Sequence, residues 1–299
     1  IITPALMIGA FVERIKFSAM LIFLSMWLLV VYVPVTHWVW GGGILSSWGT
    51  MDFAGGIVVH ATAGTAALVT ALTLGKRRGF PKSITPPHSP ILTMIGASML
   101  WIGWFGFNAG SALGANGGAG MAMLVTHISA ATASLVWMFI EWRRFGKPSL
   151  IGIVTGMVAG LATVTPASGY IGVPGGLVLG FFGGLFCYLA VDYIRGKLQI
   201  DDSLDVFAVH GVGGILGTLL VAFLATSTFS GLGLAEGETA VSQFFIQLKA
   251  VVLTVVWTSI FTYLILKITS FLVPLRVDEQ EEIEGLDLRS HGEKGYHSD

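Results

Sequence analysis

The sequence has 299 residues, of which 54% are apolar and only 11% are charged, with a mean hydropathy of +0.80. A soluble domain carries about a quarter charged residues, so this composition excludes one and predicts a membrane protein surrounded by lipid. Sixteen basic and 17 acidic residues leave a formal charge of -1, which excludes the basic surface that nucleic-acid binding requires. The single cysteine, Cys187, excludes a disulfide within the chain.

Eight apolar stretches approach or exceed the roughly 20 residues that a membrane-spanning helix needs. In chain order they cover residues 17–36, 54–75, 90–110, 119–141, 149–166, 170–194, 205–227 and 242–272. The fifth stretch is short, and the eighth is long enough to tilt. Forty glycines, many of them four residues apart, are typical of helices that pack closely in lipid. The predicted fold class is therefore an all-α polytopic membrane protein.

The loops between these spans differ in charge, and cytoplasmic loops collect Lys and Arg. Basic residues precede the first span and follow the second, fourth, sixth and eighth. No Lys or Arg occurs in residues 37–52, 111–118, 166–169 or 228–241. This alternation predicts that both ends of the chain are cytoplasmic. Residues 276–299 are acidic and poor in apolar side chains, which predicts a soluble cytoplasmic tail.

Ionisable side chains inside apolar spans are costly and usually mark function. Two histidines, His60 and His210, are identified this way, and each follows an aspartate at the start of its span, Asp52 or Asp205. The loop charges predict that these two spans run in opposite directions, which indicates an inverted repeat. Transporters built from such repeats carry their pathway at the repeat interface, near the middle of the membrane.

Simpler interpretations exist for these residues. An isolated histidine can merely bond a neighbouring helix, but two in matched positions favour a shared polar lining. Two imidazoles without a third ligand make a weak zinc site, so no metal or other cofactor is predicted. Asp52 and Asp205 are predicted to be mainly structural, capping the N–H groups at their helix starts. No nucleophile motif accompanies either histidine, which argues against an intramembrane enzyme.

Aromatic residues cluster near two span ends, in the segments WVWGGG at 38–43 and WIGWFGFNAGS at 101–111. Most tryptophans at membrane interfaces are anchors. The combination of these aromatics with the Ser111 hydroxyl and the paired histidines is less ordinary than interfacial anchoring alone.

The chain resembles the ammonium transporter (Amt/Rh) family, on its Amt side, over essentially its whole length. The resemblance is carried by residues 9–17, 37–43, 52–60, 104–111, 147–149, 165–170, 205–211 and 290–293. It implies the inverted-repeat ammonium transporter fold of eleven helices, of which about eight are present. Because Ile1 opens without Met or a signal peptide, we expect the first three helices to be missing. Residues 1–275 would then form an N-terminally truncated membrane domain, and residues 276–299 the tail.

The resemblance also assigns roles to residues. It implies an outer ammonium-binding site at Trp40 and Ser111 above a gate at Phe107, with Asp52 steadying that site from behind. It implies that the pore is lined by His60, His210, Trp104 and Val206.

The implied function is nitrogen uptake: ammonium is recruited outside and deprotonated, and ammonia is conducted past the histidines with a proton relay. The family further implies a homotrimer in the plasma (inner) membrane, and a tail that contacts a neighbouring subunit and a PII-type signal protein. Two alternatives stay open, namely an ammonium sensor that signals through the tail and an Rh-type channel that passes ammonia without net charge.

Overall fold

The computed structural model describes residues 1–84 and 86–296, and within these ranges it is helical with one isolated β-bridge, between Ile15 and Arg276. Residues 297–299 of the predicted tail lie outside the described residues. The helices are α1 Ile2–Ile8, α2 Phe17–Ser47, α3 Gly56–Leu74, α4 Pro90–Gly110, α5 Gly117–Phe145, α6 Leu150–Val164, α7 Val173–Leu198, α8 Phe207–Leu224, α9 Ala240–Leu272, α10 Glu279–Glu284 and α11 Leu286–His291.

Each of the eight predicted spans corresponds to one helix. Seven of them, α2 to α5 and α7 to α9, are long and apolar enough to cross a membrane. The fifth predicted span is α6, with 15 residues, which rises only about 22 Å and is shorter than the hydrocarbon core. The predicted all-α polytopic fold is confirmed, and the described residues form seven full-length spans together with the shorter apolar helix α6.

Local sequence explains where the long helices begin and end. Side-chain oxygens cap the first turns of α4, α5, α6 and α9, from Ser89, Asn116, Ser149 and Thr239. Such caps satisfy N–H groups that the helix itself leaves unpaired. Gly146 ends α5 in the left-handed conformation, at φ 79°, which costs glycine little.

Helices α3 and α8 cross in close, antiparallel contact. Glycines make this possible: a Cβ atom added to Gly64 would collide with the backbone of Gly211, and one added to Gly214 would lie 2.5 Å from the Cβ of His60. Residue numbers rise along α3 as they fall along α8 at these contacts, so the two helices run in opposite directions. The predicted antiparallel arrangement of the two histidine-bearing spans is confirmed.

The loops meet at two ends, and their charge differs as the sequence predicts. At one end, here called the basic end, Arg14 is fully buried and donates to Ser203 Oγ (3.0 Å), while Arg77 Nε donates to Asp201 Oδ1 (3.1 Å). At the other end, here called the neutral end, Phe53 N donates to the Pro166 carbonyl at 3.0 Å. Successive spans therefore alternate in direction.

Candidate pore site

His60 and His210 meet at the crossing of α3 and α8. Each lies in a π-helical turn that opens its helix, at Gly56–Ala61 and Phe207–Gly211. Their Nδ1 atoms are 3.2 Å apart, and their rings stack with centroids 5.2 Å apart and planes inclined by 17°. Both side chains are buried, at 1% and 7% exposed. Since one Nδ1 must donate and the other accept, the pair shares one proton between the two facing nitrogens.

Trp104 covers this pair. Its ring stacks on His60 with centroids 5.3 Å apart at 16°, and lies almost parallel to the ring of His210 at 6.4 Å and 3°. The indole Nε1 donates to Thr165 Oγ1 at 2.9 Å, and that hydroxyl donates to the Leu161 carbonyl at 2.7 Å. Thr165 was not predicted from the sequence to be a site residue, because its contact with Trp104 joins residues 61 positions apart.

A cavity of about 390 Å³ opens beside His60. Apart from the imidazole and the indole its lining is apolar, formed by Ile2, Leu6, Val59, His60, Met99, Leu100, Gly103, Trp104 and Phe107. The ring of Phe107 meets those of His60 and Trp104 edge-on, at 6.3 and 5.7 Å between centroids. His60 Nε2 is buried and has no hydrogen-bond partner within the described residues.

Trp40 and Ser111 lie toward the neutral end. Trp40 is 45% exposed, and its Nε1 donates to the Asp52 carbonyl at 2.8 Å, which fixes the indole beside the start of α3. Ser111 is half-buried and donates to the Phe107 carbonyl at 2.9 Å, so its oxygen keeps an acceptor lone pair. No hydrogen bond joins Trp40 to Ser111 among the described residues.

Asp52 caps α3. Its carboxylate accepts four backbone N–H groups, from Gly55, Gly56, Ile57 and Val58, at 2.6 to 3.1 Å. Burial raises the pKa of this carboxyl, although the four N–H groups oppose the shift. The carboxylate thus fixes the turn that carries His60.

The prediction that Asp205 caps α8 is wrong. Asp202 is the capping residue, and its Oδ2 accepts the Phe207 N–H at 2.7 Å. Asp205 has a left-handed backbone, at φ 55°, and pairs with Arg195 Nη2 at 2.7 Å. Asp202 precedes His210 by eight residues, the same spacing that separates Asp52 from His60. The inverted repeat is therefore more regular than the predicted match between Asp52 and Asp205 indicated.

Val206 lies apart from the cavity beside His60. It is buried near the basic end in a cluster with Met7, Ala10 and Phe11, where a Cβ added to Gly9 would lie 3.0 Å from its Cγ2. The geometry thus places it one helical turn before His210, against the N-terminal segment.

Another histidine within a span, His127, was not identified from the sequence. His127 lies in α5 and is exposed on the surface of the chain, where its ring stacks on Trp101 with centroids 5.1 Å apart. Trp101 is at the middle of α4, so His127 lies near mid-membrane depth. An ionisable residue inside the apolar stretch 119–141 is the sequence signal that could have identified it.

Comparison with known proteins identifies the family. A model of the Ammonium Transporter Family matches residues 1–296. The ammonium transporter Amt1 of Archaeoglobus fulgidus is 47% identical over 298 residues, covering 99% of this chain and 75% of the relative. The ammonium transporter of Aquifex aeolicus is 47% identical over 296 residues, covering 99% and 69%.

Solved structures agree with this match. A structure described as a sensor Amt protein superposes with a TM-score of 0.89 at 30% identity, covering 97% of this chain and 74% of that one. Mep2 of Saccharomyces cerevisiae gives a TM-score of 0.84 at 36% identity, covering 93% and 65%. The curated relatives are transporters, which confirms the prediction that the chain is not an enzyme. The chain is a multi-pass integral membrane protein and belongs to the Ammonium Transporter Family.

Proposed function

We propose that the protein transports ammonium by holding it at Trp40 and Ser111, removing its proton, and conducting ammonia past Phe107 and the histidine pair. One observation carries the proposal: the 3.2 Å contact between His60 and His210 lies next to a largely apolar cavity, at the crossing of two antiparallel helices. A polar pair in apolar surroundings is suited to a small, neutral hydrogen-bonding molecule.

The energetics favour ammonia over a cation in this cavity. A cation over an indole face gains about 0.5 to 2 kcal/mol, enough to concentrate ammonium at the exposed Trp40. Moving an ion from water into a low-dielectric cavity costs several kcal/mol of desolvation free energy unless an opposite charge pairs with it. Ammonium escapes that loss by leaving its proton behind, whereas potassium has no proton to lose. Selectivity then follows from proton chemistry rather than from diameter.

The histidine pair supplies the path for that proton. A proton from ammonium that binds the unprotonated Nε2 of one ring lets the shared Nδ1 proton move to the other ring, which then releases its own Nε2 proton. One proton has then crossed the pair, and both rings end neutral with their donor and acceptor roles reversed. His60 Nε2, which has no partner within the described residues, is the nitrogen that would bond ammonia in the cavity. Trp104 and its bond to Thr165 keep the rings stacked while this exchange takes place.

The basic end is proposed to be cytoplasmic, in the plasma (inner) membrane, with residues 1–275 as the membrane domain and residues 276–299 as the tail. The protein is further proposed to assemble as a homotrimer and to bind a PII-type signal protein at its cytoplasmic face. Glu282 in α10 supports a docked tail, because its carboxylate accepts the Arg78 N–H of the loop after α3 at 2.7 Å. Arg276 Nη2, at the start of the tail itself, donates to the same carboxylate at 2.8 Å.

An ammonium sensor is the second candidate function. The loop that bonds the tail at Glu282 is also connected, through hydrogen bonds, to α8, the helix that carries His210. The loop after α3, whose Arg78 N–H bonds Glu282, also contains Arg77. The Nε of Arg77 donates to Asp201, and Asp201 directly precedes Asp202, the residue that caps α8. A signal that displaced the tail would therefore reach the start of α8 through residues in contact.

Transport is tested in proteoliposomes by comparing ammonium-evoked and potassium-evoked currents at equal gradients. Ammonium current with potassium excluded is the expected result. An Rh-type channel would take up ammonia without current, and a sensor would show neither. The side assignment is tested by cysteine labelling: Glu236→Cys should react from outside and Lys76→Cys should not. The buried Cys187 leaves little background for this labelling.

A further inference from the structure

Lys249 is distinctive because of its position. Every other Lys and Arg lies at the basic end or in the tail, whereas Lys249 lies in the part of α9 nearest the neutral end. Two glutamines fix its level: Gln243 Nε2 donates to the Gly49 carbonyl at 3.0 Å, and Gln247 Oε1 accepts the Met51 N–H at 2.8 Å. Lys249 follows two residues later, about 3 Å further along α9, and its side chain reaches Trp48, which directly follows α2 in the neutral-end loop.

The ammonium of Lys249 is held in place without being neutralised. Its Nζ lies 3.4 Å from the centroid of the Trp48 ring, and the side chain is exposed. Within the described ranges, no carboxylate forms an ion pair with it. An aromatic face attracts a cation but carries no net charge. One uncompensated positive charge therefore faces the surroundings of the chain beside the neutral-end loop.

An apolar surface continues from this charge into the membrane. The groove that contains Lys249 has a volume of about 520 Å³ and is otherwise lined by Phe245, Leu248, Val252, Leu253 and Val256. Positions 249, 252, 253 and 256 repeat at helical spacing, so they share one face of α9. Val252 and Val256 are about half exposed. A cation above an apolar face complements a phosphate above an acyl chain.

We propose that Lys249, Trp48 and this face of α9 form a binding site for an anionic phospholipid of the leaflet at the neutral end. The headgroup phosphate pairs with the Lys249 ammonium, and one acyl chain lies along Val252 and Val256. A net negative headgroup is favoured over a zwitterionic one by about 1 kcal/mol per basic residue at the membrane surface, a preference of about fivefold. The proposal does not rest on transport activity.

The test uses the protein in phosphatidylcholine nanodiscs that contain a photoreactive phosphatidylglycerol, with labelled peptides mapped to residues 240–256. We expect about fivefold more labelling there than with a photoreactive phosphatidylcholine of the same chains. Lys249→Arg should keep this preference and Lys249→Gln should abolish it. Lys267→Gln is the matched control, since Lys267 lies on the same helix over Tyr263 at the basic end and should leave labelling of this segment unchanged.

Two results would overturn the proposal. One is equal labelling by both probes in the parent protein, which would mean that headgroup charge has no role. The other is a preference in Lys249→Gln as large as in the parent, with an unchanged melting temperature. Because the readout is lipid labelling, a failure of ammonium transport would not alter either result.

Discussion

The imidazoles of His60 and His210 face each other through their Nδ1 atoms at 3.2 Å, under the ring of Trp104. Each histidine is brought there by a π-helical turn whose N–H groups are held by an aspartate eight residues earlier. The proposed pore therefore depends on side chains at the membrane centre and on the carboxylates that set the two helix starts.

Replacing either pore histidine with alanine is expected to abolish ammonium current or to let potassium pass. The reason is that the shared proton and the ammonia-binding nitrogen are both lost. His88→Ala is the control, because His88 lies in the loop before α4. Currents are measured in proteoliposomes, with assembly checked on the same sample. A well-assembled His60→Ala protein with parental ammonium current and potassium exclusion would defeat the mechanism.

Thr165→Val is expected to lower both stability and ammonium flux. The substitution leaves the buried Trp104 N–H without its partner, which costs about 1 to 3 kcal/mol. Thr165→Ser keeps the hydroxyl and should behave like the parent. Thermal unfolding and flux are compared for the two variants. If Val and Ser behaved alike, the bond would have no part in holding the indole.

Asp202→Ala should cost more flux and stability than Asp205→Asn. Loss of the cap at the start of α8 costs about 0.5 to 2 kcal/mol and frees the turn that carries His210. Asn tolerates the left-handed backbone of Asp205, and its amide oxygen can still accept from Arg195 Nη2. Melting temperature and ammonium flux are measured for both variants. A larger loss in Asp205→Asn than in Asp202→Ala would show that Asp205, and not Asp202, stabilises the start of α8.

Trp40→Leu is expected to change the concentration dependence of ammonium uptake, because the exposed indole face and its bond to the Asp52 carbonyl are both lost. Trp38→Leu is the matched control, since the Trp38 ring packs edge-on against Trp257 at 4.9 Å. Initial uptake rates over a range of ammonium concentrations provide the measurement. Parental kinetics in Trp40→Leu would make Trp40 an interfacial anchor only.

Acidification should release the tail through Glu282. Burial alone would raise the pKa of Glu282, but bonds from Arg276 and the Arg78 N–H outweigh it and lower the pKa below the ordinary 4.5. A lowered pKa means that the ionised form stabilises docking. Docking is therefore strongest above pH 4.5 and weakens as the pH falls through the lowered value.

Hydrogen exchange over residues 278–296 measures this release. Glu282→Gln should expose the tail near neutral pH. Glu279→Gln should not, because Glu279 is exposed and lies 3.8 Å from Arg78. Equal protection in both variants would remove Glu282 from the docking contact.

The sequence predicted much of the fold because membrane spans leave a strong local signal. Hydropathy located eight helices, and the loop charges predicted the antiparallel crossing that brings His60 to His210. The features it missed depend on backbone detail or on distant contacts. The left-handed residue at Asp205 moves the cap back to Asp202, and the bond from Trp104 to Thr165 joins separate helices. Val206 packs against Gly9, which no local pattern of either segment indicates.

Equal spacings of eight residues, from Asp52 to His60 and from Asp202 to His210, place the two histidines at corresponding positions of antiparallel helices. In the proposed relay a proton can cross between the two histidines in either direction, so the pair imposes no one-way step. Net flow through the proposed pore would then reverse whenever the electrochemical gradient of ammonium reverses. Accumulation inside a cell would depend on the membrane potential and on metabolic trapping of the product, and not on a one-way valve in the protein.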